Sequence, residues 1–187
     1  PMESVGMGVV YTRTADGDAL RNIPDEDRLA LIDTYYHPHH ATLTRMVDER
    51  LEQYDRCLII DCHSFPAQPL PYESDRNRPD ICIGTDTFHT NARLKDCLSA
   101  AFEACGYLVA IDSPFSGTLV PLKHYHNDRR VSSVMIEVNR SLYADPNGFT
   151  RVQSDLSHAI SKAAANQSTK ANAPFLANQF TGAMTDD

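Results

Sequence analysis

Between Pro24 and Tyr54 the apolar and aromatic positions Leu29, Ile32, Tyr36, Leu43, Val47 and Leu51 recur every three to four residues along long parts of the segment. That period returns side chains to one face and predicts a long amphipathic helix, opened by Pro24 near its first turn and bent or broken at Pro38. Next comes Cys57-Leu58-Ile59-Ile60, a continuous apolar run with the pattern of a central strand covered on both faces. It leads directly into Asp61, Cys62, His63 and Ser64, groups able to hydrogen-bond, ionise or bind metal.

Residues 66–80 carry several prolines and charges and predict a surface loop of the kind that builds sites at the end of a parallel sheet. Ile81-Cys82-Ile83-Gly84 reads as a second short strand. Asn91 to Cys105 reads as a helix with Leu94, Leu98, Ala101 and Phe102 inward and Gly106 as its stop. A third strand is expected over Tyr107 to Ile111, followed by a loop over 112–118, and a fourth over Val131 to Val138. In the fourth, side-chain alternation puts Val131, Ser133, Met135 and Glu137 on one face and Ser132, Val134, Ile136 and Val138 on the other. Thr150 to Ala165 predicts a last helix. The alternation of strands and helices implies an α/β fold, a mixed or mostly parallel sheet flanked by helices in three layers, formed by a single domain over 1–165 with a polar tail over 166–187.

Composition narrows the function classes. The chain has 187 residues and a net charge of −8, with no dense Lys or Arg cluster to track phosphates, which argues against nucleic acid as a partner. No apolar run approaches bilayer length, and the first residues lack the basic start and apolar middle of a signal peptide, so a soluble, cytoplasmic protein with no membrane partner is expected. Five cysteines, 57, 62, 82, 97 and 105, show no CxxC spacing and read as reduced, mostly buried thiols.

Among the polar residues, His63 is either a hydrogen-bonded strand-end histidine or a metal ligand whose second nitrogen is held by a carboxylate or carbonyl. Cys62, adjacent on the strand, points to the other face, which makes a Cys-His nucleophile pair geometrically poor and a small buried packing residue the better reading. Glu137 interrupts an otherwise apolar strand. A buried carboxylate needs a reason, either general acid–base work or an ion pair with Arg140 or another arginine. In YYHPHH, His37 and His39 read as exposed and His40 as a site candidate on the face of Tyr36. His124 and His126 in KHYH read as a solvated loop edge or a ligand pair. Arg76 and Arg78 can clamp a carboxylate bidentately.

Taken together and in order, YYHPHHATL, LIIDCHSFP, RPDICIGT, GYLVAIDSPFSGT and SVMIEVNRSLYADP resemble the successive motifs of the N-formylglutamate amidohydrolase family, over residues 8 to about 146. The resemblance implies a zinc carboxypeptidase-like (phosphorylase/hydrolase-like) fold, with His63 as a ligand of Zn²⁺ or another divalent metal and Glu137 as the carboxylate that activates a metal-bound water. It implies hydrolysis of a non-peptide amide C–N bond in a small-molecule N-acyl amino acid, of the kind met in histidine degradation. Arg78, Asp80, Arg140, His40 and Arg76 are then candidates for substrate binding.

The chain also departs from that pattern. Members of the family normally begin with a strand ending in His-Ser-Gly and an acidic residue that supply the upstream metal ligands, and nothing before Tyr11 matches it. The loop at Phe115-Ser116-Gly117-Thr118, Tyr125-His126 and Ala144 differ from the family's usual residues too. The chain is therefore expected to be either a fragment or a natural short relative that binds metal differently or not at all. A non-catalytic binding module of the same fold and a hydrolase of another N-acyl amino acid or peptide amide are the alternatives.

Overall fold

The structure, a computed structural model, describes residues 6–14, 16–69 and 76–167. The middle of the proline-rich loop and most of the predicted polar tail lie outside them. Helix α1 (Asp25–Leu31) runs through a π-helical turn (Ile32–Tyr36) into α2 (His37–Tyr54). Pro38 accounts for the turn: it lacks an N–H and its ring collides with the carbonyl four residues back, and widening the preceding turn relieves both problems without ending the helix. Only the far half of the predicted apolar face is buried, at Val47 and Leu51. Leu29 and Tyr36 are exposed.

A four-stranded mixed sheet forms the middle layer, in the order β1 (Cys57–Phe65), β4 (Val131–Asn139), β2 (Ile81–Gly84), β3 (Val109–Ile111). β1 runs parallel to β4, β2 is antiparallel to β4, and β3 is parallel to β2. Among the described residues β4 and β2 are thus the central strands, β4 with nearly all of its residues buried, and β1 is an edge strand whose residues are mostly half-buried. This corrects the sequence expectation for β1, since a continuous apolar run fits a strand covered on both faces whether or not both of its edges are paired. β1 also extends through the polar residues as far as Phe65, because the parallel ladder with β4 continues to Asn139.

The alternation predicted for β4 divides the core. Val134, Ile136 and Val138 pack against α3 (Ala92–Ala104) and α4 (Pro146–Gln167), through Leu94, Leu98, Phe102, Val152 and Ala159. Val131, on the other face, meets Val47 and Leu51 of α2 together with Val120. All four inward positions expected of α3 are buried, Asn91 caps the helix by accepting the Leu94 N–H at 2.9 Å, and Gly106 follows it at φ +87°. Gly84 ends β2 where a Cβ would stand 2.4 Å from the Gly117 carbonyl oxygen, so only glycine lets the loop after β3 lie against the sheet. No helix among the described residues is long and apolar enough to cross a membrane.

Candidate active site

Along one face of β4 the side chains change from packing to chemistry. Val131 is covered by α2; Ser133 donates to the Leu119 carbonyl at 2.8 Å; and Glu137, near the carboxyl end, is 8 % exposed. The parallel ladder sets His63 of β1 beside Glu137, and the two-residue period puts Asp61 on the face of His63. His63 Nε2 lies 2.8 Å from Asp61 Oδ1. An N–H at Nε2 donates to that carboxylate, which leaves Nδ1 as the lone-pair nitrogen of the neutral ring.

Glu137 has a buried oxygen, Oε2, with no hydrogen-bond partner. Its pKa is raised above the ordinary glutamate value, first by burial, with Asp61 adding to the rise and His63 and Arg140 opposing it. The ion pair with Arg140 considered from sequence does not form. Instead the Arg140 guanidinium donates to Ser64, from Nε to Oγ at 3.2 Å and from Nη2 to the carbonyl at 3.2 Å.

The other sequence candidates divide. Arg78 reaches the same sheet end, its guanidinium carbon 5.4 Å from the Phe65 ring centroid and 5.9 Å from that of Phe115. Asp80 accepts the Leu108 N–H at 2.8 Å and so ties the start of β2 to the entry of β3. Arg76 is exposed. His40 is half-buried and stacks on Tyr36 with ring centroids 4.1 Å apart, and His37 and His39 are exposed as expected. A cavity of about 470 Å³ borders this helix turn, lined in part by Tyr11, Arg21, Tyr35, Tyr36 and His39; none of Asp61, His63, Glu137 and Arg140 lines it.

Two readings from sequence are corrected here. Cys62 is exposed, not buried, because β1 lies at the sheet edge, and of the five thiols only Cys82 is fully buried. The segment with His124 and His126 is a turn, solvated at Tyr125 and His126 as expected of a loop edge but not at His124. His124 is buried and its Nε2 lies 2.8 Å from Asp48 Oδ1 on α2, whereas His126 Nε2 lies 2.8 Å from Asp86 Oδ2. His89 was not singled out. It is 2 % exposed, with Nδ1 2.8 Å from the Val131 carbonyl and Nε2 accepting the His126 N–H at 2.9 Å. Nothing in TDTFHT signals such a role, since both of its partners are backbone groups far away in sequence.

A catalytic zinc needs three protein ligands. Among the described residues no group of three His, Cys, Asp or Glu side chains is arranged to hold a metal ion. With Asp61 bonded to His63, the described residues do not by themselves fit a complete zinc centre. What they do form is a buried carboxylate with an open oxygen, an oriented imidazole in the adjacent strand and two guanidiniums at the same sheet end.

No curated protein matches the chain. Among solved structures, the crystal structure of N-formylglutamate amidohydrolase from Ralstonia eutropha JMP134 aligns with a TM-score of 0.72 and 24% sequence identity, over 89% of this chain and 64% of that one. The gene product Atu2144 from Agrobacterium tumefaciens aligns with a TM-score of 0.64 and 20% identity, over 83% of this chain and 60% of that one. At these identities the likeness establishes the fold, and the chain spans less than two thirds of either structure's length. The sequence profile of N-formylglutamate amidohydrolase matches residues 1–144, more than half of the chain, and on that ground the protein belongs to the N-formylglutamate amidohydrolase family.

Proposed function

We propose that this protein is an amidohydrolase that releases formate from an N-formyl amino acid, with N-formyl-L-glutamate as the first substrate to test. The observation that carries the reading is Glu137: a carboxylate buried in a central strand, with one oxygen lacking a partner and an imidazole set beside it by the strand register. A raised pKa brings such a group closer to the range in which a general base and then a general acid works best. Glu137 takes a proton from the attacking water; the water oxygen bonds to the formyl carbon, the C–N bond breaks, and the proton passes to the leaving amine. Arg140 and Arg78 supply planar donors for the substrate's carboxylates.

His63, oriented by Asp61, is the described residue best placed to contribute a metal ligand through Nδ1, and metal dependence is part of the proposal to be measured. Formate release by the full chain, with and without added Zn²⁺ and after chelation, tests the reading, and Glu137→Gln should lower turnover by about 100-fold or more with the fold intact. Absence of formate release under all metal conditions sinks it. Comparing formyl, acetyl and peptide substrates fixes the acyl specificity.

A further inference from the structure

The Ser64 hydroxyl has no place in the chemistry described above, yet it is engaged at the same sheet end. Side chains alternate along β1, so Ser64 points away from the face of His63 and Asp61. The His63 ring, bonded to Asp61, is not placed to act as a base for Ser64 Oγ. What Oγ does is accept the Nε–H of Arg140, while the Ser64 carbonyl accepts from Nη2.

Arg140 is held from both ends. Its backbone follows Asn139, whose N–H donates to the Asp80 carbonyl at 2.9 Å and whose side chain caps the next turn by accepting the Ser141 N–H at 3.1 Å and the Ser141 hydroxyl at 2.8 Å. Two bonds to one residue fix the plane of the guanidinium. They occupy its Nε side and leave the Nη1 end of the fork for another acceptor. The guanidinium thus sits at Ser64, the residue after His63, at the sheet end that also carries Glu137.

We propose that Ser64 is a positioning residue that holds Arg140 so that its outer fork receives a carboxylate of the substrate, making the site selective for anionic over neutral N-formyl compounds. The inference rests on the amidohydrolase reading and names the part of that site that discriminates. Only the Oγ bond can be removed by substitution, because the second bond is to the backbone.

The test is a double-mutant cycle on the full chain with N-formylglutamate and its uncharged diamide. Ser64→Ala should raise KM for N-formylglutamate about three- to tenfold, the loss expected for one charge-assisted hydrogen bond near the surface, with kcat within about twofold of the parent. KM for the diamide should not change, Ser64→Thr should restore the parent KM, and Ser64→Ala should add nothing in an Arg140→Ala background. Equal weakening of both compounds, a fall in kcat with KM unchanged, or additivity with Arg140→Ala overturns the proposal. If the parent hydrolyses neither compound, the amidohydrolase reading fails, and calorimetric binding of glutarate decides this inference separately: weaker binding to Ser64→Ala than to the parent supports it, and equal binding or no binding to the parent overturns it.

Discussion

Aspartate–histidine pairs 2.8 Å apart occur at both ends of the sheet, and the two ends use them differently. At the amino-terminal end of β4, His124 is bonded to Asp48 and His126 to Asp86, and neighbouring cations and N–H groups complete each carboxylate. Lys123 and then His124 lower the pKa of Asp48, and Arg130 holds Asp128 well below the usual range. Burial pushes Asp86 upward, but His126 and two backbone N–H groups bring it below its ordinary value. At the carboxyl-terminal end, Asp61 orients His63, but Glu137 beside them keeps an unpartnered oxygen and a raised pKa. Saturated carboxylates fasten loops to α2 and the sheet. An unsaturated, buried one costs stability, and under the proposed mechanism that cost has a reason, since Glu137 is the group that accepts the proton.

Substitutions at each end test that contrast. The largest effect belongs to Glu137→Gln, which should cut formate release by about 100-fold or more and, by removing a buried charge, raise the melting temperature at neutral pH. A lower melting temperature would count against an unsaturated carboxylate. His89→Leu should leave turnover chemistry in place and destabilise the fold by about 2–4 kcal/mol in denaturant titration, because it strands the Val131 carbonyl and the His126 N–H.

Asp128→Asn should lower the melting temperature by about 2–4 °C at neutral pH. The sign of its pH dependence follows from the depressed pKa: the native state holds this proton less tightly than the unfolded state, so the carboxylate's contribution is present above the ordinary aspartate pKa and lost as pH falls below it. Melts of parent and variant should therefore converge as the solution is taken from pH 7 toward pH 3 and below. Smallest of all, Cys62→Ser on the exposed edge should move the melting temperature by about 1 °C or less; a larger drop would show that β1's outer edge is packed in solution.

The parts of the fold that were legible in sequence are those where a period decides the answer. The face of α3, the strand at Ile81–Gly84 and the two faces of β4 follow from side-chain geometry alone, and Glu137 stood out because it breaks an apolar pattern. The edge position of β1 was not legible, because an apolar run reports burial of faces and says nothing of which strands pair along the edges. The role of the turn around His124 was not legible for a similar reason: KHYH reads as a solvated loop edge or a ligand pair, while a partner on α2 buries His124 and makes it a fastened turn with positive φ at His126.

The sequence by itself determined that this is an α/β protein with a carboxylate in a buried strand and a polar group at the end of another, since hydrophobic period and the cost of burying charge act locally along the chain. Only the tertiary structure decided that β1 and β4 are parallel neighbours. That register puts His63 beside Glu137, sends Arg140 to Ser64 instead of to the carboxylate, and brings Arg78 onto Phe65 and Phe115. Such pairings join residues tens of positions apart, and they are fixed by which strands share a ladder, a choice that no single segment encodes.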